Sequence, residues 1–261
     1  MSVTTGPTYT FTGGGTLPLP VRYTLGLDLG KLADYTALAI AEERPERVLE
    51  HFSKFSIAPV WSDDADYTVP WLQRWPLGTP YFTIATEVAK LVANLVARPD
   101  TEVQLYLDGT GVGTAVVEIF AANPTIKLMQ TQFSAVVITA GHETRQEHEH
   151  GHKVWHVPKK DLVAAAQVPL QRGKLKVAEA LPEAQVLTAE LRSFEVNITL
   201  NANAVYSHRD GAHDDLVLAV ALALWGAKQR PAFSYSFSYL GQGRGDIPPY
   251  GNGVRPYGPR R

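Results

Sequence analysis

At 261 residues, 45% of them hydrophobic, the chain has apolar material for one substantial core with short appendages and too little for two large domains. The absence of cysteine excludes disulfides and thiolate metal sites, suits a reducing cytoplasm, and leaves any metal to oxygen or imidazole donors. A formal net charge of -2 excludes the broadly basic surface of a nucleic-acid coat protein, but not an acidic site flanked by local Lys and Arg.

In chain order, residues 1–20 are rich in Gly, Thr and Pro without sustained periodicity, which predicts a flexible arm. The opening MSVTTGPTYTFTGGG lacks the basic and apolar blocks of a secretory signal, and no run approaches the roughly 20 apolar residues that span a bilayer, so a soluble cytoplasmic protein is expected. Residues 23–30, 35–42 and 47–56 read as three strands of an antiparallel meander, the first two separated by the turn-forming GKLAD. Residues 59–80 carry Pro and Trp and read as a connection. Apolar residues at Ile84, Val88, Leu91, Val92 and Leu95 give a helix over 84–98. A strand over 103–107 ends at Asp108, residues 109–113 form a tight turn, and 114–122 form a helix.

Further strands are expected over 126–132 and 135–139. A polar stretch, 141–152, reads as a flexible hairpin tip that returns through 153–157. Pro158 suits the first turn of a helix to about Arg172, because its missing N–H is no loss there. A short strand at 175–177, a helix over 182–194, a short strand at 204–207 and an apolar helix over 213–228 complete the domain. Residues 229–261, dominated by Ser, Tyr, Gly, Pro and Arg, read as a mobile tail. Strands first, then alternating helices and strands, describe an α/β fold with a mixed sheet over 21–228, and the order β-β-β-α-β-α is the skeleton of the ribonuclease H-like fold.

Four acidic residues lie where such a fold would present them. Asp28 sits in the apolar strand YTLGLDLG, where a lone carboxylate carries a desolvation cost that a divalent cation would offset. Alternation puts Thr24, Gly26 and Asp28 on one face, with Gly26 leaving room beside the carboxylate. A hydrogen-bonded edge-strand Asp is the plain alternative. Asp108, in LYLDGTGVG, ends a buried-type strand where open α/β sheets bind ligands, and Gly109, Gly111 and Gly113 admit a phosphate; a simple strand-to-helix turn explains the same residues. Asp214 and Asp215 open HDDLVLAVALALW. Helix capping accounts for one of them, but a helix apolar on nearly every face is buried and aims its N-terminus inside the domain. Hydrolysing a phosphodiester needs an activated water and charge neutralisation, which two oxygen-liganded Mg or Mn ions about 4 Å apart supply when held by carboxylates from separate elements.

Taken together, GLDLGKLADYTALAIAE, LYLDGTGVGTAVVE, VWHVPKKDLV and RDGAHDDLVLAVALALW resemble, over about residues 23–226, the nuclease domain of phage terminase large subunits, which belongs with the Holliday-junction resolvases in the ribonuclease H-like group. The resemblance implies a metal-dependent endodeoxyribonuclease with Asp28, Asp108 and Asp214 as catalytic metal ligands, Asp215 as an additional or alternative ligand, and two Mg or Mn ions as cofactors. It implies double-stranded DNA as substrate, a role in viral genome packaging, and a setting in the host-cell cytoplasm. It also places the hairpin around 142–152 near DNA and brings Lys159 and Lys160 towards phosphates, although solvation at a helix start explains those lysines equally. No GxxxxGK[ST] phosphate loop is present, which fits a nuclease domain made separately, a split subunit whose ATPase motor is another polypeptide, or a stand-alone nuclease; in the split case the resemblance implies a separate ATPase motor subunit, small terminase and portal as partners.

Three other readings compete. His142, His148, His150, His152 and His156 invite a zinc site, but EHEHGH matches no defensible ligand spacing. GLDLG and DGTGVG resemble phosphate loops of sugar kinases and actin-like ATPases, which need two such domains. A non-catalytic packaging adaptor would use the nuclease fold to hold DNA or portal, with tail residues Arg230, Arg244, Arg255, Arg260 and Arg261 docking it.

Overall fold

The computed structural model describes residues 8–10, 16–18, 20–30, 34–44, 48–53, 56–61, 65–128, 132–193, 195–198, 204–207 and 214–230. Most of the expected arm and nearly all of the expected tail, including Arg244, Arg255, Arg260 and Arg261, lie outside the described residues. Within the arm, β1 (Thr8–Thr10) and β2 (Thr16–Pro18) pair as antiparallel strands.

Then follow β3 (Val21–Asp28), β4 (Thr36–Arg44), β5 (Val48–Ser53), β6 (Ser56–Trp61), β7 (Asp66–Trp75), α1 (Tyr81–Val96), β8 (Thr101–Asp108), α2 (Thr114–Ala121), α3 (Pro124–Leu128), β9 (Phe133–Thr139), β10 (Arg145–Glu149) and β11 (His152–Pro158). The remainder is α4 (Lys159–Gln171), β12 (Leu175–Val177), α5 (Ala184–Ser193), β13 (Glu195–Ile198), β14 (Ala204–Ser207) and α6 (Asp215–Lys228). Eight strands form one sheet in the order β10-β11-β9-β8-β3-β4-β7-β12. Its centre, β7-β4-β3-β8-β9, has β4 antiparallel to its four companions, which is the ribonuclease H-like arrangement.

Helices cover both faces. Leu25 and Leu27 of β3 and Leu38 and Ile40 of β4 pack with α1, α2 and α3, whereas Ala37, Ala39 and Ala41 pack with α4, α5 and α6. Small side chains on the second face let α6 lie almost on the sheet: a Cβ on Gly26 would overlap the Ala219 carbonyl oxygen, the Ala223 nitrogen and Leu222 Cβ. Gly226 of α6 is flat against the Tyr106 ring in the same way, and Trp225 meets Tyr106 and Trp155 edge to face with centroids 5.6 and 5.4 Å away. Nearly every residue of α6 is buried, as its unbroken apolar sequence predicts. Each Leu or Val buried there stabilises the fold by about 1.5–3 kcal/mol.

Several expectations are corrected. The third strand of the central sheet is β7, not the 47–56 run, which supplies β5 and, among the described residues, pairs only with β6. Pro70 hides β7 in the sequence, but it falls where the β4–β7 register shifts between Ile40 and Glu42, so no ladder bond is lost to it. Residues 126–128 of the strand expected at 126–132 belong instead to α3, started by the Asn123 side chain, which accepts the Thr125 N–H at 3.0 Å, and by Pro124 in the first turn, while 129–131 lie outside the described residues. The hairpin expected around 141–152 is present but its tip is shorter: β10 and β11 pair in register around His150 and Gly151, whose φ values of 49 and 81 allow a two-residue turn. Among the described residues no helix is long and apolar enough to cross a membrane.

Candidate metal centre

β3 and β8 run parallel with Leu27 opposite Leu107, so Asp28 and Asp108 end neighbouring strands side by side. Period-two alternation turns Asp28 to the face of Gly26 and Asp108 to the face of Tyr106, the face that α6 covers. The direction of α6 is fixed at both ends. Beyond its last turn, the Arg230 guanidinium donates to the Tyr23 carbonyl at 2.7 Å and to Thr24 Oγ1 at 2.8 Å, near the start of β3. Its middle crosses Gly26. Its first turn, carrying Asp214 and Asp215, therefore arrives over the C-terminal end of β3, beside Asp28.

Asp28, Asp108 and Asp215 are buried. Burial pushes the Asp28 carboxyl well above the usual range, and the charges of Asp108, Asp215, Asp214 and Asp34 push it in the same direction. Four carboxylates from three other parts of the chain thus act on one group. Among the described residues, the three ligand groups whose donor atoms all lie within 4.8 Å of one another are elsewhere, at Glu147, Glu149 and His156. A donor set made only of hard carboxylate oxygens, mutually repelling and partly buried, fits divalent Mg or Mn and fits a neutral ligand poorly.

Local bonds hold the surrounding loops. Asp108 Oδ1 accepts the Thr110 N–H at 2.7 Å, Thr110 Oγ1 accepts the Ile138 N–H at 2.7 Å, and the Gly109 N–H donates to the Val136 carbonyl at 2.8 Å. Gly111 and Gly113 adopt φ values of 72 and 81, so the turn into α2 uses the conformational freedom of both. After β3, the Gly30 N–H donates to Thr36 Oγ1 at 3.1 Å while the Tyr81 hydroxyl donates to the Gly30 carbonyl at 2.8 Å. At the start of α4, Lys159 Nζ stands 3.7 Å from Asp214 Oδ2.

All four aspartates singled out in the sequence are brought together, and Asp214 is not engaged in capping α6. Asp214 occupies the N-cap position without a side-chain cap bond. The capping carboxylate is Glu190 of α5, whose Oε2 accepts the Leu216 N–H at 2.9 Å and the Val217 N–H at 3.2 Å while Oε1 lies 3.3 Å from Arg74 Nη1. Burial pushes Glu190 up to about 7, helped by the Asp215 charge and opposed by the Val217 and Leu216 amides and by Arg74. Sequence reading missed Glu190, although its place three residues after buried Leu187 puts a charge on an apolar helix face. It also absorbed Asp34 into a turn.

Three further expectations change. The space at Gly26 admits α6 rather than giving room beside Asp28. Arg230 is no docking residue, because its side chain is 3% exposed and lies 3.6 Å from Glu102. Of the histidines, His156 approaches Glu147 at 3.8 Å and Glu149 at 3.6 Å, but both carboxylates are exposed and Glu147 already pairs with Arg145 at 3.4 Å, so nothing in the trio demands a cation.

No protein-family model and no curated protein matches the chain. Among solved structures it is similar to the large terminase nuclease from thermophilic phage G20c with bound magnesium, at 20% identity over 78% of this chain and 80% of that one, TM-score 0.46. It is similar also to the large terminase nuclease domain of Thermus phage P74-26, at 17% identity over 78% of each chain, TM-score 0.42. The manganese-soaked human cytomegalovirus terminase nuclease domain aligns at 15% identity over 79% of this chain and 83% of that one, TM-score 0.46. At these identities the likeness is one of fold.

Proposed function

We propose that this protein is a metal-dependent endonuclease that cleaves DNA phosphodiester bonds in viral genome packaging, with Asp28, Asp108 and Asp214 as catalytic ligands and Asp215 as a further ligand. The observation that carries the reading is the convergence of these carboxylates, 187 positions apart at the extremes of the set, on one buried Asp28. Carboxylates brought in by separate elements suit a pair of Mg or Mn ions. When bound, such ions supply charge neutralisation on the phosphate and an activated water.

The chain's own residues have distinct parts in this account. Asp28, Asp108 and the α6 pair would hold the ions, and Asp34 adds negative charge at the exposed rim. Glycines 109, 111 and 113 let a phosphate approach the backbone ahead of α2. Lys159, already beside Asp214, orients the scissile phosphate by its charge. No base-reading element is evident among the described residues, and cleavage is expected to show little sequence preference. Double-stranded DNA is the substrate, and a separate ATPase motor, small terminase and portal are the partners.

The test is incubation of the protein with supercoiled plasmid and Mn2+ or Mg2+. Nicking that stops with chelator and is absent from Asp28→Ala is the expected result. No nicking at micromolar protein with either ion would leave the non-catalytic adaptor in its place.

A further inference from the structure

The start of α6 has an unusual division of labour. A helix begins with backbone N–H groups that lack partners inside the helix, and an Asp at the N-cap ordinarily turns its carboxylate back to accept one of them. Asp214 holds that position and makes no such bond. Glu190, from another helix, accepts two of these amides with a single oxygen. Its second oxygen faces Arg74 of β7, and the Arg74 guanidinium lies over the Tyr35 ring, 4.4 Å from its centroid. Tyr35 directly follows Asp34, whose charge acts on Asp28. One line of contacts, Tyr35–Arg74–Glu190, therefore links the loop after β3 to the first turn of α6.

We propose that Glu190, held by Arg74, is a positioning residue for the metal centre: it caps α6 from outside, so that Asp214 need not turn back onto its own helix and both α6 aspartates face the cations. Glu190 touches neither substrate nor reacting atoms in this role. The inference deepens the metal-centre reading and rests on it. It assigns to a carboxylate of α5 the task of setting where the ligands of α6 stand, and so how tightly they bind divalent ions.

Three variants of the full chain separate the possibilities: Glu190→Ala removes the cap, Glu190→Asp keeps the charge but draws it back by one methylene, and Glu190→Gln keeps an acceptor oxygen at the same reach. Two readouts are taken, both without DNA: amide hydrogen exchange at Leu216 and Val217 in metal-free protein, and the Mn2+ concentration at half-saturation, from titration with Mn2+ alone. Glu190→Asp and Glu190→Ala are expected to speed exchange at the two amides and to raise the Mn2+ midpoint by roughly tenfold or more, and Glu190→Gln to stay within about threefold of the parent on both. A purely structural residue would lower the melting temperature in all three and leave the Mn2+ midpoint of the folded protein unchanged, which would overturn the proposal. Unchanged exchange at Leu216 and Val217 in Glu190→Asp would overturn it too, and that variant decides the matter if Glu190→Ala does not fold. A parent protein that binds no Mn2+ would instead remove the metal centre itself, with the exchange measurement still reporting whether Glu190 holds the helix start.

Discussion

Gly26→Ala adds one methyl group two residues from Asp28, changes no charge and touches none of the carboxylates. The new Cβ would overlap the backbone of α6 at Ala219 and Ala223 and the Cβ of Leu222, and backbone cannot swing aside as a side-chain tip can. Restoring van der Waals separation requires α6 to retreat from β3 by on the order of 1 Å. Overpacking of this kind costs about 1–3 kcal/mol, which in a domain of this size lowers the melting temperature by about 2–12 °C. The functional loss should be larger than the stability loss. The retreat carries Asp214 and Asp215 away from Asp28 and Asp108, and a displacement of about 1 Å in a catalytic constellation costs roughly 100-fold in rate. Plasmid nicking in Mn2+, at a temperature where the protein stays folded by circular dichroism, measures it. Ile84→Val serves as the control: it lies in α1 against the other face of the sheet and costs about 0.5–1.5 kcal/mol without moving α6. If Gly26→Ala loses no more activity than Ile84→Val, the close seat of α6 on β3 does not set the site's geometry.

Asp28→Asn removes the charge on which the other carboxylates act, so cleavage should fall by roughly 1000-fold or more while the metal-free protein melts a few degrees higher; a lower melting temperature would contradict the repulsion. In metal-free protein the pH dependence follows from carboxyls raised in the folded state. Their contribution to stability is full below the ordinary Asp and Glu range and is lost as pH rises through the elevated folded values, which for Glu190 means the window from about 4.5 to about 7. The parent should therefore melt lower at pH 8 than at pH 5, Asp28→Asn should show a smaller decline, and Mn2+ should restore the parent at pH 8; equal slopes for parent and variant in differential scanning fluorimetry would argue against Asp28 as the source. Lys159→Ala should slow cleavage roughly tenfold at saturating metal, about 1.4 kcal/mol of charge stabilisation, without raising the metal requirement. A raised requirement would mean that the lysine organises Asp214 instead.

The sequence made some parts of this arrangement plain and others opaque for identifiable physical reasons. α6 was legible because a run such as LVLAVALALW has no polar face and must be buried, and a buried helix with acids at its start directs them inward. Asp28 was legible because a lone carboxylate in an apolar strand carries a desolvation cost, and Asp108 because it ends a buried-type strand where open α/β sheets bind ligands. β7 was not, since Pro70 speaks against a strand unless a register shift in the pairing partner falls opposite it. Gly26 carried a real signal that was given the wrong cause: glycine marked a close approach, but of a helix 190 or more residues later in the chain. Glu190 was opaque because in TAELRS a glutamate reads as a solvated helix residue, and its partners Arg74, Leu216 and Val217 come from elements whose neighbourhood only the tertiary fold creates.

Anomalous diffraction from crystals soaked in Mn2+ tests the centre most directly. Two manganese peaks about 4 Å apart are expected between Asp28, Asp108 and the Asp214–Asp215 pair. Manganese bound only at Glu147, Glu149 and His156, or no peak among the aspartates, would contradict the account.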